Sequence, residues 1–449
     1  MRLEEYLTTV TEQIRCTKVR EMISEELRNH VLDQAEAYEA EGMFEEEAME
    51  KAIREMGDPV ETGISLDRIH RPQLSVLILV LIGVISLASI VLQGILGVFA
   101  QEAVGAGYGY LGKHILHILL GYVLMLAVYR LDYSILSRWA RQGAMVFLIF
   151  VFAGSHYLGI TINGARIYIA SGPFYVFIPA FMLLYVPLYG GILYSYRGQG
   201  YRGIGKALLW ALVPTWMTLR IPAFSQGMVL WVTFVVLIVL AVWKGWYQVP
   251  RKRTLVLMGV ALTAPAWLFI GAGLFGHLAT YQMDRVRAFL SNSHGNDYFV
   301  NQVKEFLVSS RLVGGNAQSI TEIGMLPGFQ NDYVFISLIT ACGVLAGVLV
   351  VALLLLLVVK IFRISLGQKN QLGMMLGCGC GIVYLLQVVV SVGMPLGLLP
   401  RTSAVMPFFS SGGSGIVVSY ILLGLVLSVY RYKNILPAQL PGKAVRSIS

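Results

Sequence analysis

The sequence predicts an all-α polytopic membrane protein of about ten transmembrane helices, with a small N-terminal cytoplasmic helical domain. Of its 449 residues, 56% are hydrophobic and 13% charged, too little polar surface to coat a water-soluble globule of this size. The mean hydropathy is +0.69. Charge is divided unevenly: residues 1–72 hold 18 Asp+Glu and 9 Lys+Arg, a balance of −9, which leaves 7 acids and 25 bases, +18, for the remainder. Three parts follow: an acidic domain over 1–72, a membrane domain over 73–431 and a cytoplasmic tail over 432–449.

The chain opens on polar and acidic residues, without the basic stub, short apolar core and small-residue cleavage site of a secretory signal. Its N-terminus is therefore expected in the cytoplasm. Ile23, Leu27, Val31, Ala35 and Tyr38 recur at steps of three or four, one helical stripe with Gly42 as its stop. A second helix has Glu45 to Glu47 in its first turn and Ala48, Met49, Ala52, Ile53 and Met56 on its apolar face. Gly57-Asp58-Pro59 ends it. Asp67 to Pro72 reads as the join to the membrane domain. The GDP-terminated helix resembles the short prefix domain of some bacterial permeases. Such a unit is either a solvated appendage or a docking site for a cytoplasmic regulator, whose identity stays unknown.

From Pro72 onward, apolar runs of spanning length cover roughly 74–98, 112–129, 143–161, 173–195, 204–221, 226–243, 254–275, 332–360, 372–393 and 411–430. With the N-terminus inside, seventeen bases fall in inner loops and the tail, and eight in outer loops. The positive-inside rule then supports an even span count for a multi-pass protein with both termini cytoplasmic.

Several function classes lose support. No basic run interleaves with aromatics in a soluble segment, so nucleic acid is not an expected partner. No P-loop or dinucleotide fingerprint follows a strand. Cys16, Cys342, Cys378 and Cys380 frame no disulfide scaffold. His114 and His117 share the outer end of the second span with no third ligand in view, which reads as interfacial rings and not a metal site. A transporter would place ionisable residues at mid-membrane depth, and almost none are there.

Instead the acids gather outside. Five of the seven beyond the prefix, Asp284, Asp297, Glu305, Glu322 and Asp332, lie in or beside the 276–331 outer loop. A loop this long is usually functional or disordered. Phe299, Val303, Phe306 and Leu307 step as in a helix lying on the bilayer surface. Asp297 follows a flexible Ser-His-Gly-Asn stretch and is the reachable candidate base, with His294 beside it. Arg166, Arg285 and Arg287 on the outer face are candidates to clamp an anionic group by bidentate contacts.

The segment Pro395–Gly415 reads as a buried re-entrant element. Pro400 and Pro407 deny regular helix, while Ser410, Ser411, Gly412, Gly413 and Ser414 permit close approach and offer hydroxyls and amides. Its Gly397-Leu398-Leu399-Pro400 and Pro407-Phe408-Phe409-Ser410-Ser411-Gly412-Gly413-Ser414 are similar to the GLLP and LPF.S.GGSS runs of the SEDS family, the RodA/FtsW/SpoVE-like proteins of shape, elongation, division and sporulation. Asn163-Gly164-Ala165-Arg166, Tyr168-Ile169 and Gly172 resemble the family's NGARRWI…G motif. Leu326-Pro327, Asn331-Asp332-Tyr333-Val334-Phe335 and Gly343 resemble its LPE..TDFIF…EELG motif. The likeness extends from about 74 to 431, with Gln387 in agreement.

The resemblance implies a peptidoglycan glycosyltransferase that polymerises lipid II on the outer face of the membrane beside a class B penicillin-binding protein, with no cofactor beyond an optional divalent cation. Asp297 is then the catalytic candidate, reached by a two-residue displacement within the family's loop pattern. Arg166, Arg285, Arg287, Gln302, Asp332, Pro400, Thr402, Ser410, Ser411, Gly412 and Gly413 are the candidate substrate contacts. The chain departs from the pattern at charged positions. The family's QPSE..K reads Ile178, Pro179, Ala180, Phe181 and Leu184, its LPE glutamate is Gly328, and the first glutamate of EELG is Thr340. These losses keep a second reading open, a catalytically weak scaffold or regulator of cell-wall synthesis. A lipid or solute transporter is the third.

Overall fold

A computed structural model describes residues 2–104, 109–162, 165–171, 174–221, 223–274, 298–315, 322–326 and 328–434. Asp297, His294, Arg285 and Arg287, with the tail from 435, lie outside them. The described chain divides into two units, one formed by Met1–Leu74 with the residues from Tyr430, the other by Ser75–Val429.

The first unit has four helices: α1 (Leu3–Gln13), α2 (Thr17–Ala40), α3 (Glu45–Glu55) and α4 (Pro59–His70). The striped helices of the sequence are α2 and α3, and Gly42 and Gly57 take the left-handed conformations that stop them, φ 98° and 80°. Tyr6, Leu7 and Val10 of α1 pack on Val31, Ala35, Ala52 and Ile53. Asp58 both follows the stop and starts α4, where its carboxylate accepts from the Val60 amide at 2.8 Å with Pro59 as first residue. The expected join therefore begins later. Asp67 lies in the last turn of α4 and accepts from the Arg15 amide at 2.9 Å.

The second unit contains α5 (Val76–Val104), α6 (Gly109–Arg130), α7 (Ile135–Tyr157), α8 (Ile178–Phe181), α9 (Tyr185–Ser195), α10 (Tyr201–Leu219), α11 (Phe224–Trp243), α12 (Arg251–Leu274), α13 (Tyr298–Ser309), α14 (Val334–Cys342), α15 (Val344–Leu366), α16 (Gln371–Gly393) and α17 (Gly413–Arg431). Among the described residues eight segments are long and apolar enough to cross a membrane, with α8 and α9 forming one of them through a short 3₁₀ turn. α10 and α12, which carry basic residues in their first turns, bring the helices of spanning length to ten. The chain is a multi-pass membrane protein. α9, α11, α16 and α17 make its buried centre, whereas α6 and α7 leave most of their apolar surface exposed.

Three of the expected spans change. The runs expected to span at 143–161 and 173–195 overlap a three-stranded antiparallel sheet, β1 (Gly159–Ile162), β2 (Ala165–Ser171) and β3 (Phe174–Phe177), in the order β1-β2-β3. Tyr168 pairs with Phe177 and Gly159 with Ile169. β-branched and aromatic residues dominate this stretch, and a short apolar strand abutting a span cannot be separated from it by hydropathy alone. The third corresponding run, 332–360, is two helices broken at Gly343.

That break has a cause in the 311–314 segment. The Gly314 amide donates to Cys342 O at 3.1 Å, Val344 N to Arg311 O at 3.0 Å, and Leu345 N to Leu312 O at 3.1 Å. Gly343, at φ 96° and ψ 164°, occupies backbone space essentially reserved for glycine. The amphipathic helix expected on the bilayer is α13, and its apolar stripe faces protein instead: Val303 and Phe306 are buried with Ile323, Leu326, Tyr333, Ile336, Met394 and Ala404. An apolar face seeks any water-free surface, and here the surrounding protein supplies it.

An alanine Cβ at Gly343 would sit 2.7 Å from Leu312 O. Gly343→Ala should therefore cost roughly 1–3 kcal/mol, read as a lower unfolding midpoint of purified protein in detergent. Gly205→Ala, whose Cβ meets nothing within 4 Å, should leave the midpoint within a degree or two of wild type, about the effect of an ordinary surface change.

Candidate functional site

The Pro395–Gly415 element is irregular backbone beside transmembrane helices, so its polar groups need protein partners. The turn Gly328–Tyr333 provides many of them. Gly328, at φ 82°, tightens that turn so that Asn331 N and Tyr333 N both donate to its carbonyl, at 2.9 and 3.1 Å. Asn331 then holds the serines: Ser410 Oγ donates to Asn331 O at 3.0 Å and Ser411 Oγ to Asn331 Oδ1 at 2.7 Å. Ser411 N donates to Gln330 O at 2.9 Å. Next to it, Asp332 Oδ1 accepts from Ser403 Oγ and from Ala404 N, each at 3.2 Å. Turn and element are interlocked residue by residue.

A polar face of α5 completes the interlock. Ser86, Ser89 and Gln93 recur at i, i+3 and i+7 and are buried. Gln93 Nε2 donates to Phe409 O at 2.8 Å and to Gln330 O at 3.3 Å. Ser89 Oγ donates to Phe408 O at 2.7 Å and contacts His114 Nε2 at 2.8 Å. With the serine proton directed at the carbonyl, the imidazole donates through Nε2, an assignment made from the network. Phe408 is the one non-glycine residue with positive φ among those described, at 66°. Its ring stacks on Tyr384 at 5.7 Å and meets Tyr420 edge-on at 5.2 Å.

Two further walls close the site. Ser414 Oγ accepts from Phe177 N at 2.9 Å and approaches Tyr175 O at 3.3 Å, tying β3 to the first turn of α17. At the start of α11, Ser225 N donates to Thr402 Oγ1 at 3.3 Å and Ser225 Oγ to Ser403 O. Gly413 allows close approach, since a Cβ there would lie 2.4 Å from His117 Nε2. Burial, and after it the Asp332 carboxylate, push the Tyr168 hydroxyl above its ordinary pKa, which places β2 within electrostatic reach of Asp332.

Of the residues singled out in the sequence, Asp332, Thr402, Ser410, Ser411, Gly412 and Gly413 are brought together here. Pro400 stands half-buried where the element turns back, and Gln302 is half-buried on α13. Arg166 is placed elsewhere: its Nη1 donates to His156 O at 2.7 Å and reaches Ser155 O at 3.4 Å, closing the carboxyl end of α7. His114 is buried behind the element and not interfacial. Glu305 and Glu322 are exposed. Sequence reasoning missed Ser89, Gln93 and Ser225, and named Asn331 only within a family motif, without a role. The i, i+3, i+7 polar spacing inside an otherwise apolar run was the available signal for the first two.

The groups so assembled are hydroxyl and amide donors with one carboxylate acceptor, the kinds of group that hold sugar hydroxyls. Among the described residues no three His, Cys, Asp or Glu side chains gather as a metal site. The model of the cell cycle protein family of FtsW, RodA and SpoVE matches residues 72–435. The chain belongs to this family. A probable peptidoglycan glycosyltransferase FtsW of Coxiella burnetii is 25% identical over 350 residues, 75% of this chain and 91% of the relative. One from Enterococcus hirae is 31% identical over 195 residues, 40% of this chain and 48% of that relative. A chain from a peptidoglycan synthase complex that coordinates polymerization and crosslinking shares the fold at TM-score 0.64 and 21% identity, over 80% of this chain and 98% of its own. The SEDS resemblance is thus confirmed, and two of the motifs that carried it are the two halves of the interlock.

Asp332→Ala should leave Ser403 Oγ and Ala404 N without their acceptor and cost about 1–3 kcal/mol. Asp332→Asn keeps an oxygen acceptor in the same volume and should cost less. Unfolding midpoints in detergent separate the two, and equal midpoints would show that the carboxylate does not hold the element.

Proposed function

We propose that this protein is a peptidoglycan glycosyltransferase that polymerises lipid II at the outer face of the cytoplasmic membrane, beside a class B penicillin-binding protein. The observation that carries this reading is the interlock of Gln330–Asp332 with Ser403–Ser411 in a chain whose relatives bear that activity in their names. Both termini are assigned to the cytoplasm from the distribution of bases, and residues 1–72 to regulation by a cytoplasmic partner.

In the reaction, an outer-face carboxylate, assigned to Asp297, takes the proton from the acceptor sugar hydroxyl. The hydroxyl oxygen attacks the anomeric carbon of the donor as the bond to the polyprenyl pyrophosphate breaks and the electron pair leaves with the phosphate. General-base help of this kind contributes about 10² to 10⁴-fold. Arg285 and Arg287 are assigned to the leaving pyrophosphate by bidentate contacts. The first-turn amides of α17, which have no acceptor inside their own helix, favour the same negative charge. Arg166, engaged with the end of α7, is better suited to holding β2 in place than to clamping phosphate. The polyprenyl tail stays in the bilayer throughout, which suits a polymerase built of spanning helices.

Purified protein incubated with labelled lipid II and a class B penicillin-binding protein should yield glycan chains. Asp297→Asn keeps size and removes the base, so it should abolish synthesis at normal membrane insertion, whereas Glu305→Gln and Glu322→Gln should be milder. Unaltered synthesis by Asp297→Asn would move the base to Asp284 or Asp332. Inert wild-type protein would leave the scaffold reading, which the apolar residues at the family's Glu and Lys positions favour.

The orientation has its own check. Asn292→Cys should react with an impermeant thiol reagent in intact cells, and protection there with labelling of an inner loop would reverse the topology.

A further inference from the structure

At the end of the membrane unit opposite the interlock, α7 begins and α9 ends, and the chain turns through Tyr196 into α10. Tyr196 is buried, and its hydroxyl accepts from Trp210 Nε1 at 3.1 Å, which fixes the ring. Two exposed cations face that one ring: Arg141 Cζ lies 5.4 Å from its centroid and Lys206 Nζ 5.7 Å. The π face attracts each of them, and two like charges gathered at one ring also repel each other. Neither has a carboxylate partner among the described residues. The neighbouring Arg197 shows the contrast, since its guanidinium is stacked 3.6 Å above Tyr194 and donates to Gln371 Oε1 at 3.0 Å. Asp132, the acid of the membrane unit at this end among the described residues, accepts from Ser134 N at 2.8 Å.

The surroundings indicate what chemistry would neutralise the pair. Arg138 and Arg202 stand one turn nearer the helix ends and are also exposed. Trp139, Tyr201 and Trp243 are exposed at the corresponding ends of α7, α10 and α11, the amphipathic rings that mark headgroup depth. In the other direction each cation heads an exposed apolar stripe at helical spacing, Met145 and Ile149 beyond Arg141, Leu209 and Val213 beyond Lys206. A ligand matching all of this carries a negative headgroup with hydrocarbon below it.

We propose that Arg141 and Lys206, both set against the Tyr196 ring, bind the phosphate of an anionic phospholipid whose acyl chains lie along the exposed stripes of α7 and α10. The site is independent of the glycosyl-transfer reading, being at the other end of the unit. Its lipid would rivet α7 to α10 across α9, which packs against both, and would make the stability of the unit depend on the lipid composition around it.

Native mass spectrometry of the full chain in detergent, with phosphatidylglycerol, phosphatidylcholine or glycerol 3-phosphate added, tests this. Wild-type protein should retain phosphatidylglycerol over phosphatidylcholine by about tenfold or more, the scale two surface cations supply. The double variant Arg141→Gln/Lys206→Gln should lose that preference, Arg141→Lys should keep most of it, and Arg363→Gln, an exposed base elsewhere, should leave it unchanged. Should the double variant fail to fold, Lys206→Met alone should show a partial loss. A double variant with wild-type preference, or a wild type indifferent to headgroup, overturns the proposal. Glycerol 3-phosphate retained as strongly as the lipid would make this a soluble-phosphate site and overturn it equally.

Discussion

Everything around the interlock of the membrane unit depends on satisfying one stretch of irregular backbone. Residues 395–412 form no regular helix, yet Ala404, Met406, Phe408 and Phe409 are buried. A buried amide or carbonyl without a partner costs roughly 1–3 kcal/mol, so the stretch persists only because other elements send donors and acceptors to it. α5 supplies a serine and a glutamine, the 328–333 turn supplies two carbonyls and two side-chain oxygens, and α11 supplies a serine. The left-handed Phe408 follows from the same requirement. Its backbone strain, of order 1–3 kcal/mol, is held by the Ser89 bond to its carbonyl and by rings on two sides.

Much of this architecture was legible because bilayers impose it. Apolar runs of spanning length, an acidic prefix and an asymmetric distribution of bases follow from hydrophobic thickness and surface charge, and they located the helices of spanning length to within a few residues over most of their ends. The re-entrant element was legible for a related reason, since Pro400, Pro407 and the Ser410–Ser414 run contradict the helical pattern around them. What hydropathy misplaced were apolar segments that do something other than span. β1 to β3 and α14 are as apolar as the helices they adjoin, and the difference lies in strand pairing and in the glycine at 343, not in composition. α13 was found by its period, but the period reports only that an apolar face exists. Whether lipid or protein covers it depends on Met394 and Ala404, roughly ninety residues further on.

The site shows the same division. Asp332 and the Ser410–Gly413 run were found singly, from charge and from backbone chemistry, yet nothing local states that Asn331 holds Ser410 and Ser411 while Asp332 holds Ser403 and Ala404. Such pairing across some seventy to eighty residues is a tertiary fact. Gln93 and Ser89 escaped for a simpler reason, because isolated polar residues in a span read as noise until their i, i+4 relation is set against a polar wall.

The missing family charges become intelligible from this geometry. At Gly328, where the family pattern has a glutamate, φ is 82° and a Cβ would start 3.8 Å from Asp332 Oδ2. A glutamate there would be strained in backbone and would bring a second carboxylate toward the first, which opposes the ionised form of both. Thr340, at another such position, is buried at 3% exposure, where an unpaired carboxylate would be costly. A glutamate introduced at either position would therefore meet backbone strain or burial without a partner. The glycines, prolines and serines match the family because they carry the shape of the interlock, and that shape is maintained by neutral hydrogen bonds around a single described carboxylate.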